Sequence, residues 1–476
     1  MVFSSNVFLF LFLPLFLALY YASPQRWRNA VVVAASYLFY AWWRADFLLL
    51  FAAVTVWNYQ IGRRIAAYGP GTAAARRWLI VGVVADLAVL GYFKYANFGV
   101  DTLNALLGLT GNEPLQVMHV ILPIGISFYI FESISYIADV YRGDTPAARN
   151  LVDFATFVAL FPHLIAGPVF RYKDLANQFA RREHSWAMFS AGSVRFMQGF
   201  IKKVFIADSI APMANSAFAL AQPTAADAWL GTLAYTAQLY FDFSGYSDMA
   251  IGLGLMIGFR FTENFNQPYI SQSITEFWRR WHMSLSSWLR DYLYVPLGGN
   301  RHGTFKTYRN LFLTMLLGGL WHGANWTFAI WGAWHGALLA LERVSATAGA
   351  GARFSPARWA TTFLLVMLGW VMFRAPDVAT AGHFYLAMFG YADIALSDPY
   401  AAGIDSLQLT TLALAYVVIA VSGWRSTAST AAPPLRTGGA LAIVRPWAEA
   451  LMLPLFALAV LRLSAQSYSP FLYFQF

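Results

Sequence analysis

His322 lies inside a run, Asn310–Leu341, that contains no Asp, Glu, Lys or Arg. An ionisable side chain in such surroundings is costly, which makes it a functional candidate. Imidazole titrates near neutrality and can take a proton from a hydroxyl and pass it on, the chemistry of a general base. The competing interpretation is a histidine that packs helices through a satisfied hydrogen bond, and the run alone leaves both open. Two further histidines accompany it. His282 falls in the segment Phe277–Arg290, and His335 closes the same uncharged run as His322, where its position speaks for a structural role. Asp242 and Asp248 interrupt the otherwise uncharged stretch Gln238–Met249, so each needs a partner. That partner could be a histidine to orient, Arg279 or Arg280 to pair with, or a broken helix end to cap.

Other chemistries find less support. His282, His322 and His335 could in principle hold a metal, but no two stand four residues apart and the chain has no cysteine, so no metal site is assigned. The absence of cysteine also removes thiolate nucleophiles and disulfides. Phosphate-binding loops, dinucleotide fingerprints and Gly-x-Ser-x-Gly elbows are missing as well.

The elements that must position these residues follow from spacing. A helix over the whole uncharged run would be roughly 48 Å long, against a hydrocarbon core of about 30 Å. Basic residues flank both ends: Arg301, Lys306 and Arg309 before it, Arg343, Arg353 and Arg358 after it. The run therefore enters, breaks at Gly318–Asn325 and returns, with His322 deep. Upstream, Ser273–Glu276 is a capping box opening a helix that extends to Arg290. Helical spacing puts Trp278, His282, Leu285 and Leu289 on one face, from which His282 could share a pocket with His322. For the arginines of this helix an interfacial amphipathic role suffices.

Composition sets the wider frame. Of 476 residues, 59% are hydrophobic and 12% charged, with mean hydropathy +0.51. Soluble domains carry about 25% charged residues, so this chain cannot cover itself with a water-compatible surface. Long uncharged runs recur throughout and supply about 10–12 membrane segments. The expectation is an all-α polytopic membrane protein forming a single domain over residues 1–476, with re-entrant or broken helices. The net charge of +9 comes without a dense Lys/Arg run, which argues against nucleic acid; cations collecting in cytoplasmic loops explain it.

Charge also orients the passes. Val7–Tyr21 reads as a retained first span, because no charged residue precedes Arg26. Arg26 and Arg28 then place the amino terminus outside. Asn29–Trp43 and Phe47–Trp57 are the next spans, and Arg63, Arg64, Arg76 and Arg77 flank a cytoplasmic turn at 69–71. Trp78–Phe98 exits, Asp101–Glu113 is an external loop and Pro114–Val140 returns. Leu151–Phe170 has basic residues on both sides and carries Pro162, Gly167 and Pro168, so it is re-entrant or two half-helices. Arg425, Arg436 and Arg445 bracket a cytoplasmic linker before a final span to about Leu461. No internal repeat of the secondary-transporter kind is visible, which weighs against the alternative of a proton-coupled transporter or flippase in polysaccharide export.

Five words in order resemble the membrane-bound O-acyltransferase family, in its bacterial branch of alginate O-acetylases and teichoic acid D-alanyl transferases. They are Phe161-Pro162-His163 through Pro168, Tyr240–Asp248, Phe277–His282, Arg290–Asn300 and Trp321-His322-Gly323. With their flanks they cover residues 120–345; beyond 345 the likeness is one of character only. The resemblance implies a ring of tilted helices with cytoplasmic and external funnels meeting near a histidine. It makes His322 the catalytic histidine and His282 its companion. It implies an acyl thioester such as acetyl-coenzyme A as co-substrate and no tightly bound cofactor. A polysaccharide hydroxyl such as alginate's would be the acceptor, met directly or through a periplasmic acetyltransferase partner, at the bacterial inner membrane.

Overall fold

The computed structural model describes residues 1–344, 354–390, 393–430, 441–465 and 471–472. Arg353 and Arg436, two of the cations used to orient the chain, lie outside the described residues. Among the described residues there are helices and connecting segments and no strand. Contacts cluster into two compact units: residues 1–3, 7–191 and 253–262, and residues 4–6, 192–252 and 263–476.

The first unit is built from α1 (Leu13–Ala22), α2 (Arg28–Ala41), α3 (Phe47–Tyr68), α4 (Ala73–Leu109), α5 (Ile126–Arg142), α6 (Leu151–Ala159) and α7 (Tyr172–Ala180). Helix α4 turns Ile80, Val81, Val84 and Leu87 outward, the surface of a helix solvated by lipid rather than water. It is long and apolar enough to cross a membrane. It also runs past the expected exit, so Asp101 and Asn104 ride on its last turns instead of forming a loop. The next stretch is not the helix expected from Pro114. It lies along α4, where the Asn97 and Asn104 side-chain oxygens accept from the Val120 and Leu115 backbone N–H groups at 3.0 and 2.7 Å. Pro114 and Pro123 cannot donate to a helix, which delays α5 to Ile126.

Helix α6 confirms the expected break. It ends at Ala159, and residues 160–170 continue as buried irregular chain. Such backbone survives only where protein satisfies it. Here the Ser36 hydroxyl accepts from the Phe161 N–H at 3.1 Å, and His163 Nδ1 lies 2.9 Å from Glu132 on the buried helix α5.

The second unit takes in most of α8 (Trp186–Ile201), a π-helical turn at Lys202–Ala207, α9 (Asp208–Phe218) and α10 (Ala225–Met256). Then come α11 (Ile274–Arg280), α12 (Met283–Leu289), α13 (Thr304–His322) and α14 (Trp326–Val344). Helices α15 (Pro356–Arg374), α16 (Val378–Phe389), α17 (Asp398–Ala402), α18 (Ser406–Thr430) and α19 (Leu441–Ala465) complete it. The uncharged run forms the hairpin α13–α14, as its length required. Its break falls at Gly323–Asn325, the last part of the expected stretch Gly318–Asn325. Gly319 is instead a packing residue: a Cβ there would collide with the Phe328 carbonyl and come within 2.9 Å of the Gly332 Cα. Two helix backbones thus meet almost in contact, as small residues permit in membranes.

Candidate active site

His322 is the last residue of α13 and is buried. Its ring is enclosed by aromatics, with centroids of Trp321, Trp331 and Phe373 at 5.1, 5.2 and 5.3 Å. The His282 ring lies 6.4 Å away, so the two histidines separated widely in sequence come together.

His282 arrives there by a route that sequence spacing did not foresee. The capping box forms by half: the Ser273 hydroxyl accepts from Glu276 N–H at 3.0 Å, but the Glu276 carboxylate accepts from Gln272 N–H at 2.9 Å rather than from Ser273. Glu342, at the end of α14, reinforces it by accepting from the Thr275 N–H and hydroxyl at 2.9 and 2.8 Å. The helix does not reach Arg290, however. It breaks after Arg280, and His282 takes a left-handed backbone with φ of 44° before α12 starts. His282, Trp278 and Leu285 therefore do not share a continuous helix face. The physical reason is Asn264: its carbonyl accepts from Met283 N–H at 2.9 Å, so the chain at 282–283 bonds across to another segment instead of along a helix.

His335 is fully buried and accepts a hydrogen bond on Nδ1 from the Trp278 indole N–H at 3.3 Å. Both it and His322 pack against Trp331, with centroids 5.0 and 5.2 Å from that indole. It thus supports the aromatic enclosure without joining the histidine pair.

Asp242 and Asp248 pair with cations, but not with Arg279 or Arg280. Lys203 Nζ lies 2.9 Å from Asp242 and 2.5 Å from Asp208. Asp248 receives Arg195 at 2.7 Å and Lys202 at 2.6 Å. These cations come from α8 and the π turn, whose extra residue per turn helps both adjacent lysines reach α10. Arg280 pairs instead with Glu276 at 2.9 Å.

Asn264, Phe243, Trp331, Phe373 and the carboxyl-terminal Phe471 were not singled out from sequence. Phe243 stands edge-on to His282 at 4.7 Å, and Phe471 packs behind it on Tyr246 at 4.5 Å, while the Leu472 N–H donates to Asp242 at 3.1 Å. Phe243 lies inside the word Tyr240–Asp248, and Asn264 carried a signal of its own, a polar cluster Glu263–Gln267 between apolar segments.

Two cavities flank this part of the unit. One of about 490 Å³ is lined by Arg195, Lys202, Ser244, Asp248, Asn264 and Met283. The other, about 550 Å³, is lined by Arg279, Met283, Ser286, Arg290, Asn300 and Arg343. Met283, the residue after His282, borders both. No cluster of three or more potential metal ligands occurs among the described residues.

The sequence model of the membrane-bound O-acyltransferase family matches residues 145–381. A probable alginate O-acetylase, AlgI, of Azotobacter vinelandii is 65% identical, with all of both chains covered. A peptidoglycan O-acetyltransferase of Helicobacter pylori is 37% identical over 83% of this chain and 81% of its own. A teichoic acid D-alanyltransferase of Bacillus subtilis is 30% identical over 51% of this chain and 65% of its own. The likeness to the Azotobacter protein runs the full length, so it is not confined to the motif-bearing residues 120–345.

Proposed function

The chain belongs to the membrane-bound O-acyltransferase family, and from that premise we propose that it acetylates alginate, with His322 as general base. It is a multi-pass membrane enzyme, an O-acyltransferase acting in polysaccharide O-acetylation. Alginate is the acceptor suggested by the full-length relative. The observation that carries the chemistry is the buried His322–His282 pair, with ring centroids 6.4 Å apart.

In the proposed step, a nitrogen of His322 takes the hydroxyl proton as the oxygen attacks the acetyl thioester carbonyl. The carbon–sulfur bond breaks, the sulfur takes the proton from His322, and an acetyl ester and a free thiol leave. The aromatic walls of His322 keep water from competing for the acyl group. Acetyl-coenzyme A is the donor we assign. Arg279, Arg290 and Arg343 line a cavity on the side that the cationic flanks of α13 and α14 mark as cytoplasmic, and guanidinium groups suit phosphates. The enzyme sits in the bacterial inner membrane and passes acetyl to alginate directly or through a periplasmic acetyltransferase partner.

The test is the acetyl content of secreted alginate in a deletion strain carrying the wild-type gene or His322→Ala, with membrane abundance measured beside it. Restoration by wild type and none by an equally abundant His322→Ala is expected. Full restoration by His322→Ala would remove the base assignment; no effect of wild type would remove alginate as the acceptor.

A further inference from the structure

Asn264 is fully buried and gathers most of its polar contacts around one short stretch of chain. Its Oδ1 lies 3.0 Å from His282 Nδ1, 2.8 Å from the Ser284 hydroxyl and 3.4 Å from the Ser284 backbone nitrogen. Its Nδ2 donates to the Ser247 hydroxyl of α10 at 3.0 Å, and its backbone carbonyl accepts from Met283 N–H at 2.9 Å. A backbone N–H can only donate, so the side-chain atom facing Ser284 must be the oxygen, which fixes the amide's orientation. That oxygen can only accept, so His282 Nδ1 must carry a proton. In a neutral imidazole the other nitrogen, Nε2, is then a bare lone pair. Nε2 is buried and has no hydrogen-bond partner among the described residues.

The same residue explains the backbone of His282. His282 and Gln267 are the non-glycine residues with positive φ among those described. A left-handed histidine persists only when its surroundings over-determine it, and such residues gather at functional sites. Asn264 supplies the constraint by bonding residues 282, 283 and 284 at once.

We propose that Asn264 is a positioning residue that holds His282 in its left-handed turn as the Nδ1–H tautomer, presenting Nε2 to the reaction as a hydrogen-bond acceptor. This rests on the reading of His282 and His322 as the reacting pair. Asn264 touches no substrate in this role; it acts through His282. It also borders the 490 Å³ cavity.

Two substitutions separate positioning from packing. Asn264→Leu keeps the branched shape and removes the acceptor and the donor to Ser247, while Asn264→Asp keeps an acceptor for Nδ1–H and Ser284. Acetylation of secreted polymer per copy of enzyme is expected to fall about 100-fold or more in Asn264→Leu, as when a tautomer-fixing carboxylate is lost elsewhere. Asn264→Asp is expected to keep at least about a tenth of wild-type acetylation, since a carboxylate fixes the same tautomer. In the ¹⁵N-histidine spectrum of the purified wild-type enzyme, the signal that disappears in His282→Ala should be a neutral imidazole protonated at Nδ1. Asn264→Leu at wild-type abundance with more than half the acetylation would overturn the proposal, as would Asn264→Asp behaving no better than Asn264→Leu. A wild-type His282 protonated at Nε2 overturns it whether or not either variant accumulates. If His282→Ala acetylates fully, the reading of the pair fails, whereas the tautomer is still decided by the spectrum.

Discussion

His335 and Lys203 show how differently buried polar residues behave in this protein. His335 is packed against Trp278 and Trp331 and bonded by the Trp278 indole, outside the histidine pair. His335→Ala should therefore cost about 2–4 kcal/mol through the cavity left behind, seen as lower membrane abundance, while acetylation per remaining copy persists. An abundant but inactive His335→Ala would give this residue a chemical role after all. Lys203 stands between Asp242 and Asp208 with only 2% of its surface exposed. Lys203→Met strands a buried carboxylate and should cost about 3–5 kcal/mol. Adding Asp242→Asn should recover part of that loss, because it removes the charge left unpaired. Thermal unfolding in detergent measures both, and a double variant no more stable than the single would refute the pairing.

At the scale of elements, the closeness of α13 and α14 decides where His322 ends up. Gly332 has no room for a side chain: a Cβ would collide with the Met315 carbonyl and approach the Leu316 Cα to 2.9 Å. Both neighbours are backbone, which cannot rotate away, so Gly332→Val should prevent accumulation of folded enzyme. Gly99 in α4 is the contrast, since a Cβ there meets nothing within 4 Å. Gly99→Ala should raise stability by about 0.5–1 kcal/mol through helix propensity alone. Equal melting temperatures for wild type and Gly332→Val would show that the two helices are not held in backbone contact. The break after Arg280 belongs to this scale too. Helical spacing carried the segment straight to Arg290, because periodicity registers only what a chain does with its own neighbours. The Asn264 carbonyl offered Met283 N–H a competing partner from outside the segment, and the competitor won.

For the whole molecule, the positive-inside rule gives a direct test, and the lack of cysteine makes it clean. A single cysteine in place of Ala73, beside the arginine-flanked turn, should react with a membrane-impermeant maleimide only after cells are opened. One in place of Glu113 should react in intact cells. The reverse pattern would invert the orientation of the first spans.

An all-helical membrane protein, the folding back of Asn310–Leu341, the break in Leu151–Phe170 and the place of His322 within an uncharged run were all legible in the residues alone. Each of these follows from composition, length and the position of charge, which are local properties the bilayer reads directly. Tertiary structure decided the rest. The pairing of Asp242 and Asp248 with Lys203, Lys202 and Arg195, the left-handed turn at His282 and the aromatic enclosure of His322 all depend on which distant groups meet. In an apolar interior a polar group must take whatever partner the fold brings within reach, and spacing along the chain does not say which one that will be.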